Sequence, residues 1–482
     1  MKLIELLDGL DYVCIKGNVN QEVDQMIYDS RIKTSAGLFI AIEGFKTDGH
    51  QYISTAISNG AKVILVQKEV PIDEDVTVIQ TKDTRLAMAI MANNAYQHPS
   101  KKFDLVGVTG TNGKTSITFI LGQLLEAYHK KIGIIGTIEN RIGSQVLKAE
   151  RTTPESLDLQ ALFSKMVEEK VDVTLMEVSS HALALSRVVG VAFKVGIFTN
   201  LTQDHLDFHK TMDNYVEAKA KLFQLCEIGI INQDSPYTKQ ITEAATCKLI
   251  TYGISNEADY MAKDIIITAT KVEYTLICEE GKFRVEVPIP GKFTVYNTLA
   301  VIAASRALNL PLAYVLDTLK QIKGVPGRVQ TFNSSKGYSV LVDYAHTPDG
   351  LENVLSTIKE FVKGRVITVF GCGGDRDKTK RPIMGSIAAK YSNHVFITSD
   401  NPRTENPLQI LDDIEVGVKA ITSNYIKVED RKVAICQALN EAQKDDVVLI
   451  AGKGHENYQI LKDRIIHFDD SEVVNAYLRG GE

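Results

Sequence analysis

Short apolar runs alternate with amphipathic stretches along most of this chain. In the first hundred residues, apolar runs at 38–42, 61–66 and 76–80 predict strands, and the spacing of apolar residues over 84–96 predicts a helix. From residue 104 onward, strand-like runs and helical patterns alternate more regularly. Such alternation is typical of parallel sheets with helices on both faces. The pattern therefore predicts an α/β protein.

Two polar segments interrupt the alternation and predict boundaries between domains. They lie at 98–102, which contains a proline, and at 323–328, which has the sequence KGVPGR. Between them lies a mostly parallel sheet, and 271–289 predicts a β-hairpin at its antiparallel edge. After the second boundary, four apolar strands with intervening helices predict a doubly wound, Rossmann-like unit. We therefore predict three domains, over 1–100, 101–325 and 326–482.

The composition is that of an ordinary globular protein. The 482 residues include 54 Lys and Arg against 60 Asp and Glu, a net charge of −6, and 44% are hydrophobic. No basic excess is available to neutralise nucleic-acid phosphates, so nucleic-acid binding is not expected. The six cysteines form no C-x-x-C pair, which argues against structural zinc and against a disulfide framework. The cysteine pattern thus fits a reducing cytoplasm.

The least charged segments do not suggest a membrane protein. Glu5 and Asp8 lie inside the apolar pattern of the first ten residues, which predicts a short amphipathic helix and not a signal peptide. The longest stretch without Asp, Glu, Lys or Arg covers 86–100, which is shorter than the roughly 18–20 apolar residues that span a bilayer. We therefore expect a cytoplasmic protein without a membrane span.

The segment GVTGTNGKT at 107–115 carries the strongest chemical signal. It follows a predicted strand and opens a predicted helix, and its glycines let successive N–H groups point at phosphate oxygens. Lys114 can reach the terminal phosphates of a nucleotide, and the Thr115 hydroxyl can contact Mg²⁺. Valine stands at 108, where the strict pattern has glycine, so this is a variant phosphate loop; the plainer interpretation is a glycine-rich turn with an incidental lysine. The predicted loop comprises Gly110, Thr111, Asn112, Gly113, Lys114 and Thr115.

Further polar residues follow predicted strands. Glu177, in MEVSSH, supplies the oxygen ligands that Mg²⁺ prefers. His205, in NLTQDHLDFH, is a less usual Mg²⁺ ligand and could equally cap a loop, and Ser179 could bind a ligand or cap a helix. In doubly wound sheets, ligands gather at the carboxyl ends of the strands. Polar clusters stand at such ends at 343–346, 371–376, 400–403 and 452–456.

Ten motifs carry a resemblance to a known family. They are GTNGKT (110–115), EVSSHALALSRV (177–188), FTNLTQDHLDFH (198–209), YVEAKAKLF (215–223), YNTLA (296–300), GVPGR (324–328), DYAHTPD (343–349), GCGGDRDKTKRP (371–382), DNPRTENP (400–407) and AGKGHE (451–456). With them in this order, the chain resembles the Mur ligases of peptidoglycan synthesis, and most of all the members that add the third amino acid. Residues 28–50 also resemble the UDP-binding domain of that family, so the resemblance covers all three predicted domains.

The resemblance implies an ATP-dependent ligase of cell-wall synthesis. Such an enzyme would phosphorylate the D-Glu carboxyl of UDP-MurNAc-L-Ala-D-Glu to an acyl phosphate, which the amine of meso-diaminopimelate would attack. The expected cofactors are ATP and one or two Mg²⁺ ions, with a CO₂-derived carbamate on Lys219 as a ligand of the second metal. By its residue type alone, Lys219 would be a solvated helix lysine like Lys221. We expect a monomer whose partners are these two substrates.

The resemblance assigns roles position by position. The expected catalytic residues are Lys114, Lys219, His205 and Arg328. The expected metal ligands are Thr115, Glu177, His205 and carbamylated Lys219. The expected nucleotide contacts beyond the loop are Asn297, Arg328, Asp343 and His346. Ser30 is expected at the UDP end, and the residues expected at the muramyl dipeptide are Thr152, Thr153, Ser179 and Arg187.

Two positions depart from the family pattern. Leu185 stands where some relatives have a glutamine, which weakens any substrate contact transferred to that position. Thr294 replaces a common asparagine, but Asn297 is intact.

Arg403 bears on which amino acid is added. Diaminopimelate is lysine with a second carboxylate at its far end, and a guanidinium binds a carboxylate with two hydrogen bonds. The sequence DNPR at 400–403 resembles the diaminopimelate-adding enzymes, although Arg403 could also be a plain surface residue. Glu456 would pair with the substrate ammonium. The other expected residues of this site are Arg376, Asp400, Asn401, Pro402 and Gly452.

Three alternatives stay open at this point. Within the family, the enzyme could add L-lysine. A folylpolyglutamate synthase-like ligase would share the ATP site, but the uridine-domain motif and DNPR argue against it. A non-catalytic protein that binds UDP-muramyl peptides is disfavoured because Lys114, Glu177, His205 and Lys219 are all present.

Overall fold

The apolar runs of the sequence form buried strands in the computed structural model. The run AKVILV is the strand Ala61–Val66, in which every residue except Lys62 is buried. Burial on both faces is what a strand within a helix-covered sheet requires. The structure describes residues 1–45, 47–268, 270–325, 327 and 329–480.

The N-terminal segment forms a small α/β unit. Its sheet has the order β1-β5-β4-β3-β2, in which β1 is antiparallel to β5 and the other pairs are parallel. The predicted strands and the predicted helix of this segment are confirmed to within a few residues. The elements are α1 (Leu3–Leu6), β1 (Val13–Lys16), β2 (Met26–Ile27), β3 (Gly37–Ile40), α2 (Ile53–Ser58), β4 (Ala61–Val66), β5 (Thr77–Gln80) and α3 (Thr84–Ala95), with 3₁₀ turns at Gly49–Tyr52 and Pro99–Lys101.

The central segment forms a long, mostly parallel sheet. Its elements are β6 (Asp104–Thr109), α4 (Lys114–Ala127), β7 (Ile132–Ile135), β8 (Asn140–Ile142), β9 (Gln145–Leu147), α5 (Ser156–Glu168), β10 (Val173–Glu177), α6 (Ser180–Ala184), β11 (Phe193–Phe198), α7 (Leu206–His209), α8 (Met212–Ala220), β12 (Cys226–Asn232), α9 (Thr238–Ala244), β13 (Lys248–Gly253), β14 (Tyr260–Ile267), β15 (Val272–Cys278), β16 (Gly281–Val287), α10 (Lys292–Ala307) and α11 (Leu312–Leu319), with a 3₁₀ turn at Lys221–Gln224. The strand order is β16-β15-β14-β13-β12-β11-β6-β10-β7-β8-β9.

This order places β6 between β10 and β11, with all three parallel. The carboxyl ends of these strands therefore meet at one edge, which brings together the loop after β6, Glu177 and the segment after Phe198. The predicted hairpin is confirmed as the antiparallel pair β15 and β16. A second antiparallel edge, β8 and β9, was not predicted, because three-residue strands show little alternation.

The C-terminal segment forms the predicted doubly wound unit. Its elements are β17 (Gln330–Asn333), β18 (Ser339–Asp343), α12 (Pro348–Phe361), β19 (Val366–Phe370), α13 (Lys380–Tyr391), β20 (His394–Thr398), α14 (Pro407–Lys419), β21 (Tyr425–Val428), α15 (Arg431–Glu441), β22 (Val447–Ala451), β23 (Tyr458–Ile460), β24 (Ile465–His467) and α16 (Asp470–Gly480). The main sheet has the order β17-β18-β22-β19-β20-β21, and only β17 among these described strands runs antiparallel to its neighbour.

A buried ion pair holds the end of this sheet where the polar clusters lie. Arg431 and Asp470 are both fully buried and share two hydrogen bonds of 2.7 Å. The Arg431 guanidinium also donates to the carbonyls of Ser399 and Ala451, which directly precede Asp400 and Gly452. Burial of such a pair is tolerated because each partner satisfies the other. It fixes two of the predicted site loops relative to each other.

The three main sheets lie in separate stretches of chain, so the α/β fold class is confirmed. The division at 100/101 and 325/326 stays a prediction. None of the helices formed by the described residues is both long and apolar enough to cross a membrane.

Candidate active site

The loop between β6 and α4 has the backbone that its glycines require. Gly110 has φ +148° and Gly113 has φ +88°, both in the region that favours glycine. A Cβ at Gly110 would overlap the Thr199 hydroxyl, and one at Gly113 would lie 2.7 Å from the Asn297 side-chain oxygen. The loop is thus compact and closely packed, as a phosphate-binding loop must be.

Lys114 starts α4 and folds back over this loop. Its Nζ donates to the carbonyl of Gly110 at 2.8 Å and to that of Thr111 at 2.9 Å. The helix N-terminus beneath it adds a partial positive charge. A lysine held here can reach an anion seated on the loop by a small side-chain movement.

The segment after β11 fixes the other side of the loop. The N–H groups of Thr111 and Asn112 donate to the backbone and side-chain oxygens of Asn200, at 2.9 and 3.0 Å. The Thr199 hydroxyl donates to the Asn112 carbonyl at 2.6 Å. The motif at 198–209 therefore supports the phosphate loop directly.

Glu177 lies at the end of β10, against the same loop. Only 1% of it is exposed, and its two carboxylate oxygens each accept from the Thr115 hydroxyl at 3.0 Å. Thr137, which the sequence did not single out, donates to the carboxylate through its N–H at 2.9 Å and its hydroxyl at 3.0 Å. A buried carboxylate beside a hydroxyl at a phosphate loop is the oxygen-rich donor set that suits Mg²⁺.

Lys219 approaches the loop from α8. It is 1% exposed, and its Nζ donates to the Gly110 carbonyl at 2.9 Å and lies 4.6 Å from the centre of the Tyr215 ring. Burial lowers the pKa of Lys219 well below its usual range, and the charge of Lys114 lowers it further. Lys219, the lysine that the resemblance singles out, is thus buried and has a lowered pKa. Lys221 is exposed.

His205 lies at the start of α7 with a left-handed backbone, φ +54°. Its ring is 4.9 Å from that of His181, and its Nε2 is 3.4 Å from a carboxylate oxygen of Asp204. Burial lowers the pKa of His181 to about 4, so this neighbour is a neutral imidazole at neutral pH. Among the residues that the structure describes, no three His, Cys, Asp or Glu side chains converge as a ready-made metal cluster.

The residues expected at the muramyl dipeptide surround Glu177. The Thr153 hydroxyl donates to the Glu177 carbonyl at 2.8 Å and accepts from the Ser179 N–H at 3.0 Å. The hydroxyls of Thr152 and Thr137 are 3.0 Å apart. Ser179 also caps α6 through its side chain. The geometry is therefore compatible with both roles considered for Ser179, ligand binding and helix capping.

Arg187 is held in this group by contacts that the sequence did not reveal. Its guanidinium donates to the Thr153 carbonyl at 3.0 Å and pairs with the buried Glu155 at 2.8 Å. Glu155 also pairs with Arg151 and with Arg85 of α3. Ser30 lies apart from this group in the N-terminal segment, where its carbonyl accepts from Asn59 at 2.8 Å.

The expected nucleotide contacts come from two sides. Asn297 is buried on α10 beside Gly113. Asp343, at the end of β18, accepts from the N–H groups of Val329 and Ala345 at 2.8 Å. His346 follows, with its Nδ1 2.8 Å from the Tyr344 carbonyl. Arg328 lies outside the described residues.

The residues of the expected amino-acid pocket form a hydrogen-bonded cluster after the ends of β20 and β22. Asn401 donates to Glu456 at 2.8 Å, and the fully buried Lys453 donates to both, at 3.2 and 3.0 Å. Gly452 has φ +118°, and a Cβ there would lie 2.7 Å from Asp400. Lys453 was missed by sequence reasoning, although it lies inside AGKGHE.

Arg403 lies beside this cluster, in contact with the Asn401 carbonyl, and has a left-handed backbone, φ +51°. Its guanidinium donates to the Gly374 carbonyl at 2.8 Å, and its N–H donates to the Ile460 carbonyl at 3.1 Å. Pro402 is buried and Arg376 is exposed, and both flank this turn. Non-glycine residues with positive φ cost conformational energy and cluster at functional sites.

Family models match most of the chain. Residues 108–305 match a model described as the Mur ligase middle domain, and 327–454 match one described as the Mur ligase glutamate ligase domain. Residues 22–96 match a model described as the Mur ligase family catalytic domain.

Individual proteins match over the whole length. The chain is 49% identical over 484 residues to UDP-N-acetylmuramoyl-L-alanyl-D-glutamate--2,6-diaminopimelate ligase 1 of Clostridium acetobutylicum, covering 99% of each chain. It is 50% identical over 482 residues to the corresponding ligase of Clostridioides difficile, again covering 99% of each. A solved structure of a ligase with this activity in its name superposes with a TM-score of 0.72 at 31% identity, covering 100% of this chain and 99% of the other.

Proposed function

The chain belongs to the Mur ligase family, and we propose that it is the ATP-dependent ligase that adds meso-diaminopimelate to UDP-MurNAc-L-Ala-D-Glu in peptidoglycan synthesis. One observation carries the proposal: Arg403 contacts Asn401, which in turn donates to Glu456, in a chain that is half identical, end to end, to ligases with that name. We propose further that the three domains divide at 100/101 and 325/326 and that the enzyme acts as a monomer.

The phosphate loop, Lys114 and Arg328 would bind the triphosphate of ATP. The terminal phosphoryl group would pass to an oxygen of the D-Glu carboxylate, and ADP would leave. The amine of diaminopimelate would attack the acyl carbon, lose a proton and displace phosphate. Since the triphosphate, the substrate carboxylate and the tetrahedral intermediate are all anionic, Lys114 would act by holding negative charge in place. Asn297, Asp343 and His346 would orient the nucleotide.

The residues near the loop fit a magnesium-dependent reaction. Thr115 and Glu177 would hold one Mg²⁺, and His205 with a carbamate on Lys219 would hold a second. Bound Mg²⁺ would neutralise charge on the phosphates. Glu177 is already held by the hydroxyls of Thr115 and Thr137 and by the Thr137 N–H, so its oxygens are positioned before any ligand arrives.

The substrates would lie along the three segments. Ser30 would contact the UDP end, and Thr152, Thr153, Ser179 and Arg187 would contact the muramyl dipeptide next to Glu177. Glu456 would receive the substrate ammonium, and Arg403 the distal carboxylate. Arg376, Asp400, Asn401, Pro402 and Gly452 would complete that pocket.

A direct assay tests this proposal. The protein is incubated with ATP, Mg²⁺, UDP-MurNAc-L-Ala-D-Glu and either meso-diaminopimelate or L-lysine, and products are separated by mass. We expect the tripeptide, ADP and phosphate with diaminopimelate. A tripeptide formed with lysine but not with diaminopimelate would overturn the specificity, and no product with either would overturn the function.

Replacing Arg403 with alanine should lower kcat/KM for diaminopimelate by roughly 10- to 100-fold, the effect of losing a charge-assisted hydrogen-bonded pair. The rate with lysine, which lacks the distal carboxylate, should change little, so the preference between the two amino acids should shrink. Arg464→Ala is the matched control, because Arg464 is exposed on the nearby β23–β24 turn. An unchanged preference in Arg403→Ala would contradict the assigned role.

A further inference from the structure

The first turn of α12 touches the phosphate loop from the C-terminal segment. Asp349 accepts hydrogen bonds from the Asn112 side-chain amide at 2.9 Å and from the Thr202 hydroxyl at 3.0 Å. These partners are 237 and 147 residues away in sequence, so the contact exists only because the two segments are docked. Asp349 belongs to the DYAHTPD motif, but neither its residue type nor its spacing indicates a role.

Asn112 and Thr202, the two partners of Asp349, belong to one hydrogen-bonded unit. The Asn112 N–H donates to the Asn200 side chain, and the Thr202 N–H donates to the Thr111 hydroxyl at 3.1 Å. The carboxylate therefore binds the phosphate loop and its supporting segment together. A hydrogen bond to a charged acceptor is stronger than one between neutral groups.

The other end of this connection reaches the amino-acid pocket. Asp349 lies six residues after Asp343, and the Asp343 carbonyl accepts from the Gly452 N–H at 3.0 Å. Asp349 thus stands on the same strand-to-helix turn that borders the pocket of Asn401 and Glu456.

An acid in the first turn of a helix also stabilises that helix through its dipole. That effect needs no partner from another segment. The hydrogen bonds that Asp349 accepts from Asn112 and Thr202, in contrast, both cross between segments. The dipole alone therefore does not explain the geometry.

We propose that Asp349 is a positioning residue that docks the C-terminal segment on the phosphate loop, so that the amino-acid pocket faces the carboxyl group activated there. It acts through Asn112 and Thr202, and touches neither phosphate nor amino acid. The inference rests on the proposed function for its kinetic readout, but not for its structural one.

The test compares Asp349→Ala, Asp349→Asn, Thr202→Val and the double variant Asp349→Ala/Thr202→Val. We expect Asp349→Ala to lower kcat for ligation by 10- to 100-fold, while the Kd for a non-hydrolysable ATP analogue changes less than threefold. Asp349→Asn should lose less, because both hydrogen bonds end on one carboxylate oxygen, Oδ2, which the amide oxygen can replace without its charge. Thr202→Val should add almost nothing to Asp349→Ala, because the shared contact is already lost. Glu472→Ala, which removes an exposed first-turn acid from α16, is the control and should keep wild-type kcat.

Three results would overturn the proposal. The first is wild-type kcat in Asp349→Ala, and the second is losses that multiply in the double variant. The third is equal losses in Asp349→Asn and Asp349→Ala with a changed Mg²⁺ requirement, which would indicate a metal ligand.

Small-angle X-ray scattering without substrates separates this inference from the proposed function. Asp349→Ala should have a larger radius of gyration than the wild type even if the wild type forms no tripeptide, and an unchanged radius would count against docking.

Discussion

Lys114→Ala should lower kcat for ATP-dependent ligation by roughly a thousandfold, the upper range for loss of one preorganised charge stabiliser. Lys114 lies over the loop, 2.8 and 2.9 Å from the carbonyls of Gly110 and Thr111, and no peptide group can replace its charge near the terminal phosphates. The fold should survive, because alanine favours the helix that starts at this position. Steady-state ADP release and a thermal unfolding curve measure the two effects.

The control for this variant is Lys130→Ala, since Lys130 is exposed just beyond the other end of α4. It should keep full activity. Full activity in Lys114→Ala would show that the loop at 110–115 does not bind the phosphates that react.

Lys219→Ala should lower kcat for ligation by roughly 100- to 1,000-fold, and short carboxylic acids such as acetate should restore part of the rate. The physical reason is that the alanine variant has no amine to carry the carbamate. The amines of Lys219 and Lys114 donate to the same Gly110 carbonyl, at 2.9 and 2.8 Å. Burial and the Lys114 charge lower the pKa of Lys219, so its neutral amine is available to react with CO₂. The product is a carbamate anion and a released proton, which turns repulsion from Lys114 into attraction.

A readout independent of activity accompanies this prediction. Protein equilibrated with ¹³C-bicarbonate should show a carbamate carbon signal by NMR that is absent from Lys219→Ala. Lys221→Ala, two residues further on and exposed, should keep both the signal and the activity. A rate in Lys219→Ala equal to the wild type, or a carbamate signal that persists in it, would refute the assignment.

Much of the fold could be predicted because its signals are local. The run at 61–66 is a strand of the same bounds, and the hairpin of β15 and β16 follows from two alternating segments around a short turn. The short strands β8 and β9 could not be predicted, because β8 forms by pairing with β7 and β9 by pairing with β8, and not by a pattern of their own.

The residues of the candidate site likewise divide into those that the sequence indicated and those that it did not. Residue spacing in the sequence indicated the glycines at 110 and 113, the lysine that follows and the polar residues after β10, β20 and β22. This was possible because a phosphate loop and a strand end are local features. The sequence did not indicate Glu155, Thr137 or Lys453 as site residues. Neither a buried charged side chain nor a hydrogen-bond donor to Glu177 has a sequence signature of its own.

By itself, then, the sequence determined most of the strands and helices, where the phosphate loop lies and, through its resemblance, which family it joins. Only the tertiary structure decided which of two nearby lysines is buried: Lys219 faces the loop and Lys221 faces solvent, although they lie two residues apart. It also decided that Asp349 meets Asn112 across 237 residues. The reason is that periodicity and turn chemistry act over a few residues, whereas burial and long-range hydrogen bonds depend on how whole sheets pack.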